Sequence, residues 1–155
     1  MKLVGGIDPG KSGALVVLDA ENGTPVCIRV MPENPQEVCA IIEAYRHADW
    51  ALEKVSPFQG ASLTSTWTFA EGFGLLKGVF TALKVKFTLV PPKVWQQPLH
   101  LGADKKAHPK ARSLEVARRL FPDQDFKATD KSKTAHDGIV DAFLIAEFMR
   151  RTLRP

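Results

Sequence analysis

Four acidic side chains lie where a carboxylate could do chemistry. Asp8 ends the strand-length apolar stretch KLVGGID, and Glu53 lies inside a second apolar run, WALEKV. Asp137 and Asp141 are four residues apart in AHDGIVDAFLIAEF, so a helix there places both carboxylates on one face. Carboxylate oxygens suit Mg²⁺ or Mn²⁺, and a pair of such ions can activate a water and stabilise the leaving oxygen of a phosphodiester. If the fold brings the four acids together, they predict metal-assisted phosphodiester hydrolysis.

Each acid also has an explanation that needs no metal. Asp8 could accept hydrogen bonds from the amides of the PGKS turn that follows it. In an edge strand Glu53 would simply face solvent, whereas in a strand covered on both faces it must be paired, protonated or bound to a cation. Asp137 suits a helix N-terminus, but adding Asp141 at this spacing destabilises a helix by about 0.2 to 0.5 kcal/mol. A shared cation would remove these costs.

The apolar pattern indicates the elements that would position these acids. Two strand-length runs, 2–8 and 13–19, flank the PGKS turn, and an Asn-Gly pair precedes a third run at 26–31. We therefore expect a three-stranded meander, followed by a mixed α/β sheet in a single domain over residues 1–155. The remaining pattern predicts helices over 35–47, 65–83, 109–120 and 135–151 and strands over 50–55 and 87–90. It also predicts an irregular stretch over 93–110, in which Pro98 and Pro109 limit any helix to short pieces.

The composition is that of one soluble globular domain, with 45% hydrophobic and 25% charged residues. Cys27 and Cys39 lack the C-x-x-C spacing of a redox or zinc motif and are expected to be free thiols in a reducing compartment. No run reaches the ~18 apolar residues of a membrane span. We expect a cytoplasmic protein that has no membrane partner.

Basic residues are concentrated in the second half of the chain. Residues 84–133 hold 12 basic and 5 acidic side chains, whereas residues 1–83 hold 6 basic and 9 acidic ones. Such a distribution is typical of a surface that binds a polyanion such as nucleic acid. A solvated, lysine-rich loop is the alternative.

The segment GGIDPGKS, residues 5–12, matches the phosphate-binding pattern G-x-x-x-x-G-K-[ST]. That site requires a helix to begin at its Lys-Ser end, so that the helix N-terminus faces the phosphates. The residues that follow, GALVVLD, have the pattern of a strand. We therefore interpret the match as accidental and expect no nucleotide cofactor.

Four segments together resemble the RuvC-like Holliday junction resolvases, especially their compact phage-type members: GIDPGKSGAL, WALEKV, VPPKVW and AHDGIVDAFLIAEF. The resemblance spans nearly the whole chain. It implies the ribonuclease H-like fold, in which strands one to three are antiparallel, later strands are parallel and helices cover both faces. It also implies two metal ions, Mg²⁺ or substituting Mn²⁺, on Asp8, Glu53, Asp137 and Asp141.

The resemblance further implies roles for basic residues. Lys110 matches a lysine that family members use on the DNA-facing loop. A second lysine of the bacterial enzymes falls at Trp95 of this chain, and some relatives place the third acid at the position of Gly138, so that His136 could share the role of Asp137. The expected nucleic-acid contacts are Lys11, Ser12, Phe58, Gln59, Lys93, Lys105, Lys106, Lys110 and Arg112, with Lys93, Lys105 or Lys106 replacing the lysine lost at Trp95.

Members of the family are homodimers that place two sites against a four-way junction and nick opposing strands. By that analogy residues 56–68, with Trp67, lie near the junction and the dimer interface, while Phe73, Leu76 and Phe80 belong mainly to the core. The predicted function is therefore that of a Mg²⁺-dependent endodeoxyribonuclease, a hydrolase that resolves four-way and other branched DNA. Asp8, Glu53, Asp137 and Asp141 would hold the metal, His136 would place water or substrate, and Lys110 would bind phosphate.

Three alternatives remain open. A nuclease of the same fold could act on RNA or an RNA–DNA hybrid, and a binding module could recognise junctions without cutting them. The sugar-kinase and actin-like ATPases also open with an Asp-x-Gly turn, but they usually need two such lobes. A bacterial or phage-infected cell is the expected setting.

Overall fold

A computed structural model describes residues 1–57 and 60–153 of the protein. Its described strands form one five-stranded sheet in the spatial order β3-β2-β1-β4-β5. In chain order they are β1 (Leu3–Asp8), β2 (Ala14–Asp19), β3 (Pro25–Val30), β4 (Asp49–Glu53) and β5 (Phe87–Val90).

The sheet is mixed. β1, β2 and β3 pair antiparallel, so the predicted meander is confirmed, whereas β4 runs parallel to β1 and β5 runs parallel to β4. Parallel strands end at the same edge of a sheet, so Asp8 and Glu53, the last residues of β1 and β4, lie at one edge. β4 is an internal strand, and the edge-strand explanation of Glu53 is therefore wrong.

Helices cover both faces of the sheet, as expected. On one face, Val38 of the first helix and Phe80 of the second pack with Ile7 and Trp50 of the strands. On the other face, buried residues of the last three helices pack against Val4 and Val16. The helices are α1 (Pro35–Ala44), α2 (Leu63–Ala82), α3 (Pro92–Leu99), α4 (Pro109–Leu120) and α5 (Asp137–Thr152).

Helix α3 lies largely in the stretch that was expected to hold only short helical pieces, and it is such a piece, eight residues long. Pro92 is at the start of the helix, where its missing N–H removes no intrahelical bond, and Pro98 is in its last turn. Trp95 and Leu99 point into the core, so tertiary burial stabilises this short helix despite the second proline. The other predicted elements are confirmed, with ends displaced by a few residues.

Two glycines allow α5 to lie unusually close to the strands. A Cβ atom at Gly6 of β1 would collide with the backbone of Ala142 and Ala146 in α5. A Cβ atom at Gly138, in the first turn of α5, would collide with the backbone of the turn between β1 and β2. Close packing at both points fixes the N-terminal half of α5 over the end of β1.

No helix within residues 1–57 and 60–153 is long and apolar enough to cross a membrane.

Candidate functional site

Three of the four predicted acids form a half-buried cluster. Asp8 and Glu53 come from the ends of β1 and β4, and Asp141 comes from the second turn of α5, which packs on β1. Burial, followed by the charge of Asp8, raises the pKa of Glu53 to about 7. Burial and then the charges of Asp8 and Glu53 raise the pKa of Asp141 to about 7 as well. The fold thus holds mutually repelling carboxyl groups together.

Asp8 is both a turn aspartate and a member of the acidic cluster. Its Oδ1 accepts a hydrogen bond of 3.3 Å from the N–H of Gly10, so it is a turn aspartate. This bond lowers the pKa of Asp8, and so does the charge of the nearby His136, but burial has the larger effect and raises it overall. The turn therefore orients the Asp8 carboxyl without neutralising it.

Neutral donor groups lie beside the other two carboxyl groups of the cluster. The indole Nε1–H of Trp95 donates to Glu53 Oε1 at 2.9 Å. The hydroxyl group of Ser113, in α4, lies near Asp141 and partly offsets the rise in the pKa of that carboxyl group, which burial causes. Neither Trp95 nor Ser113 was predicted to contact an acid, because each lies far from its partner in sequence and carries no motif.

Asp137 lies apart from this cluster, on the exposed first turn of α5. Its Oδ2 is 2.7 Å from Nζ of Lys110, and this ion pair raises the pKa of Lys110. The charges of Asp141 and Asp8 raise the pKa of Lys110 further, so Lys110 lies near these two acids as well as Asp137. His136 is the N-cap of α5: its Nδ1 accepts the N–H of Ile139 at 3.2 Å, which leaves Nε2 to face other groups.

The donor chemistry of the cluster fits a hard divalent cation. Oxygen ligands are those that Mg²⁺ and Mn²⁺ prefer, and a cation would relieve the repulsion that raises the carboxyl pKa values. Within the described part of the chain, however, no three His, Cys, Asp or Glu side chains approach closely enough to share one ion in this arrangement. The side chains of the cluster would have to move closer together around a bound ion.

Several of the predicted nucleic-acid contacts are exposed. Lys11 and Ser12 are exposed on the turn after Asp8, and Lys93 is exposed on α3. Lys105 and Lys106 are exposed in the loop 100–108, between α3 and α4. Phe58 and Gln59 lie outside the described residues.

The guanidinium group of Arg112 holds the loop that carries these lysines. It donates to the carbonyl oxygens of Asp104 at 3.1 Å, Lys105 at 2.7 Å and Ala107 at 3.1 Å. Arg112 was predicted as a nucleic-acid contact, and the structure places it against its own backbone. Its hydrogen bonds fix the direction in which Lys105 and Lys106 leave the loop.

Helix α2 carries aromatic residues of two kinds. Leu76 and Phe80 are buried in the core, as expected, and Phe73 packs against it partly buried. Trp67 is 75% exposed near the start of the helix, in the segment assigned by analogy to the junction and the dimer interface.

Solved structures of RuvC share the whole fold. The structure of T. thermophilus RuvC in complex with Holliday junction substrate is similar at a TM-score of 0.66 and 17% identity, covering 99% of this chain and 97% of that one. A second Thermus thermophilus RuvC structure gives a TM-score of 0.65 at 19% identity, covering 97% and 96%. No protein-family model and no curated protein sequence matches the chain. The ribonuclease H-like fold of RuvC is therefore confirmed for this chain.

Proposed function

We propose that this chain, which has the fold of RuvC, is a divalent-metal-dependent endonuclease that nicks DNA at four-way junctions. The observation that carries the proposal is the cluster of Asp8, Glu53 and Asp141, brought by three different elements to one edge of the sheet near Lys110. Holding three carboxyl groups together costs stability unless a cation binds them. The junction as substrate is supported by the similarity to a RuvC structure that contains one.

The proposed metal ligands are Asp8, Glu53 and Asp141, joined by Asp137 when Lys110 releases it. When bound, two Mg²⁺ or Mn²⁺ ions would supply an activated water and stabilise the leaving oxygen. Lys110 then directs its ammonium group at the charge that develops on the phosphate, and His136 offers Nε2 to the water or the substrate. Burial of the acids beneath α5 limits their contact with bulk water and strengthens every charge interaction in the site.

DNA binding would use the exposed lysines around this edge. Lys11, Lys93, Lys105 and Lys106 can each neutralise a phosphate, so affinity should fall steeply as salt is raised. The resemblance to RuvC-like resolvases supports Ser12, Phe58 and Gln59 as further DNA contacts. The same resemblance supports a homodimer of the compact phage type in the cytoplasm, with two sites that produce paired nicks.

Cleavage assays on labelled substrates test the proposal. A four-way junction, a matched duplex and an RNA–DNA hybrid are incubated with the protein in Mg²⁺, Mn²⁺ or EDTA, beside Asp8→Asn. Asp19→Asn is a matched control, because Asp19 also ends a strand and its Oδ1 accepts turn amides, at 2.7 and 3.2 Å, far from the cluster.

We expect metal-dependent paired nicks in the junction with wild type and Asp19→Asn, and none with Asp8→Asn or in the duplex. Tight junction binding without nicks in either metal would contradict the enzyme and favour a binding module. Preferential cleavage of the hybrid would instead identify a nuclease of the same fold that acts on RNA. Equal binding of junction and duplex would refute the choice of substrate.

A further inference from the structure

Three side chains that the proposed chemistry does not use connect Glu53 to Asp141. Trp95 is fully buried and donates its indole proton to Glu53. The ring of His100 stands edge-on against the Trp95 ring, with centroids 5.9 Å apart and planes at 86°. Nε2 of His100 is 3.4 Å from the hydroxyl oxygen of Ser113, and that hydroxyl group lies close enough to Asp141 to lower the pKa of its carboxyl group against the larger effect of burial. These contacts therefore run from Glu53 to the surroundings of Asp141, which belongs to a different element.

The direction of each hydrogen bond follows from the donors that are present. Trp95 has only a donor, so its bond to Glu53 has one possible direction. When Asp141 is ionised, as a bound cation would keep it, its carboxylate only accepts, and a hydrogen bond with Ser113 then uses the hydroxyl proton. In that state the Ser113 oxygen accepts from His100, which requires a proton on Nε2 of that ring. With Asp141 ionised, the protons of Trp95 and Ser113 are directed towards the two acids.

Neutral donors have a specific advantage beside a cation site. Each takes one lone pair of a carboxylate and sets its orientation, while adding no positive charge that would repel an incoming ion. The partners are also immobile, because Trp95 belongs to the main core cluster and Ser113 is only 5% exposed in α4. Groups of this kind, behind the direct ligands, typically change metal affinity by about 10- to 100-fold when they are removed.

We propose that Trp95, His100 and Ser113 form a positioning frame that orients Glu53 and Asp141 for a divalent cation. This inference rests on the proposed metal-dependent nuclease. The segment 92–120 carries the frame, and it also carries Lys110 and the two lysines of the loop 100–108. Metal binding and the phosphate-facing surface thus depend on one continuous part of the chain.

Titration calorimetry with Mn²⁺ on Trp95→Phe tests the frame, with Trp50→Phe as the matched control. Trp50 is equally buried, and its Nε1–H donates to the carbonyl oxygen of Tyr45 at 3.1 Å on the opposite face of the sheet. Both variants lose one buried indole donor. We expect Mn²⁺ affinity to fall about 10-fold or more in Trp95→Phe and to stay unchanged in Trp50→Phe. Ser113→Ala should weaken binding by a similar factor.

A second readout uses the wild-type protein and therefore does not depend on whether a variant folds. In ¹⁵N-labelled protein the three indole N–H signals of Trp50, Trp67 and Trp95 are assigned with the single Phe variants of each, and any two of these variants assign the third signal by elimination if one fails to fold. Addition of Mg²⁺ should shift the Trp95 signal and leave the Trp50 signal in place. A change in fold stability alone would not produce this selective shift.

The possible failures are distinguishable. If wild type binds Mn²⁺ and both Trp95→Phe and Ser113→Ala bind it equally well, the frame is refuted and the proposed nuclease stands. An unmoved Trp95 signal at saturating Mg²⁺ refutes the frame in the same way. If wild type binds neither ion, the proposed function fails first, and the frame fails with it.

Discussion

Replacing Glu53 by Gln should stabilise the metal-free protein while removing a proposed metal ligand. Burial and the charge of Asp8 raise the pKa of Glu53 from 4.5 to about 7, so the folded state disfavours the ionised acid. Gln keeps the shape of the side chain, and its carbonyl oxygen still accepts the proton of Trp95. The substitution therefore removes the charge with little change in packing.

The size of this effect follows from the pKa difference. At ~1.36 kcal/mol per pKa unit, a rise from 4.5 to about 7 corresponds to about 3 kcal/mol of lost stability. Below pH 4.5 both the folded and the unfolded chain carry the protonated acid, so the cost is absent. The loss of stability grows as the pH rises from 4.5 to about 7, and it has its full size above that pH. The gain in Glu53→Gln should thus be about 1 kcal/mol at about pH 5 and about 3 kcal/mol at about pH 8.

Urea denaturation in EDTA at these two pH values measures the gain. Glu147→Gln is a control of opposite sign, because Glu147 is 2% exposed and paired with Arg150 at 2.6 Å and Arg151 at 2.7 Å. Burial alone would raise the pKa of Glu147, but the two arginines lower it overall. Replacing Glu147 by Gln should therefore destabilise the protein at neutral pH. Added Mg²⁺ should stabilise wild type more than Glu53→Gln. A Glu53→Gln protein less stable than wild type at high pH would refute the reasoning.

Three further predictions concern single residues. Lys110→Ala should reduce junction cleavage about 100-fold or more, because the ammonium group stabilises charge that develops in the reaction. Junction affinity measured in Ca²⁺ should stay within a few-fold of wild type. Equal loss of binding and cleavage would assign Lys110 to binding alone. Gly6→Ala should lower the free energy of unfolding by about 2 kcal/mol or more in urea titrations, because its Cβ would collide with the backbone of α5; an unchanged midpoint would contradict the close packing. Arg112→Ala should remove the hydrogen bonds that hold the loop 100–108, so that trypsin cuts faster after Lys105 and Lys106 and junction binding weakens. An unchanged rate of digestion by trypsin would show that other contacts hold the loop.

The sequence pattern predicts the sheet well because its signals are local. The turn after Asp8, the Asn-Gly hairpin and the short apolar runs each specify backbone geometry within a few residues. The final helix is equally clear from its apolar stripe. Once β1 and β4 are parallel neighbours, the common edge of Asp8 and Glu53 follows directly.

The parts that could not be predicted depend on contacts between distant residues. Pro98 reads locally as a helix breaker, but burial of Trp95 decides the conformation of α3. The bond from Trp95 to Glu53 joins residues 42 positions apart, and no spacing rule detects it. Likewise, helix periodicity places Asp137 on the same face as Asp141, whereas in the structure Asp137 is exposed and forms an ion pair with Lys110.

The order of the elements along the chain sets when the carboxyl cluster can form. β1 finds its first partner, β2, immediately after the turn, but the helix that closes over it, α5, is the last described element. Contacts of such high sequence separation close a large loop and form late in folding. A nascent chain therefore holds Asp8 and Asp141 far apart until the final helix docks. Assembly of the acidic cluster is expected to mark completion of the fold, so incompletely folded chains lack it.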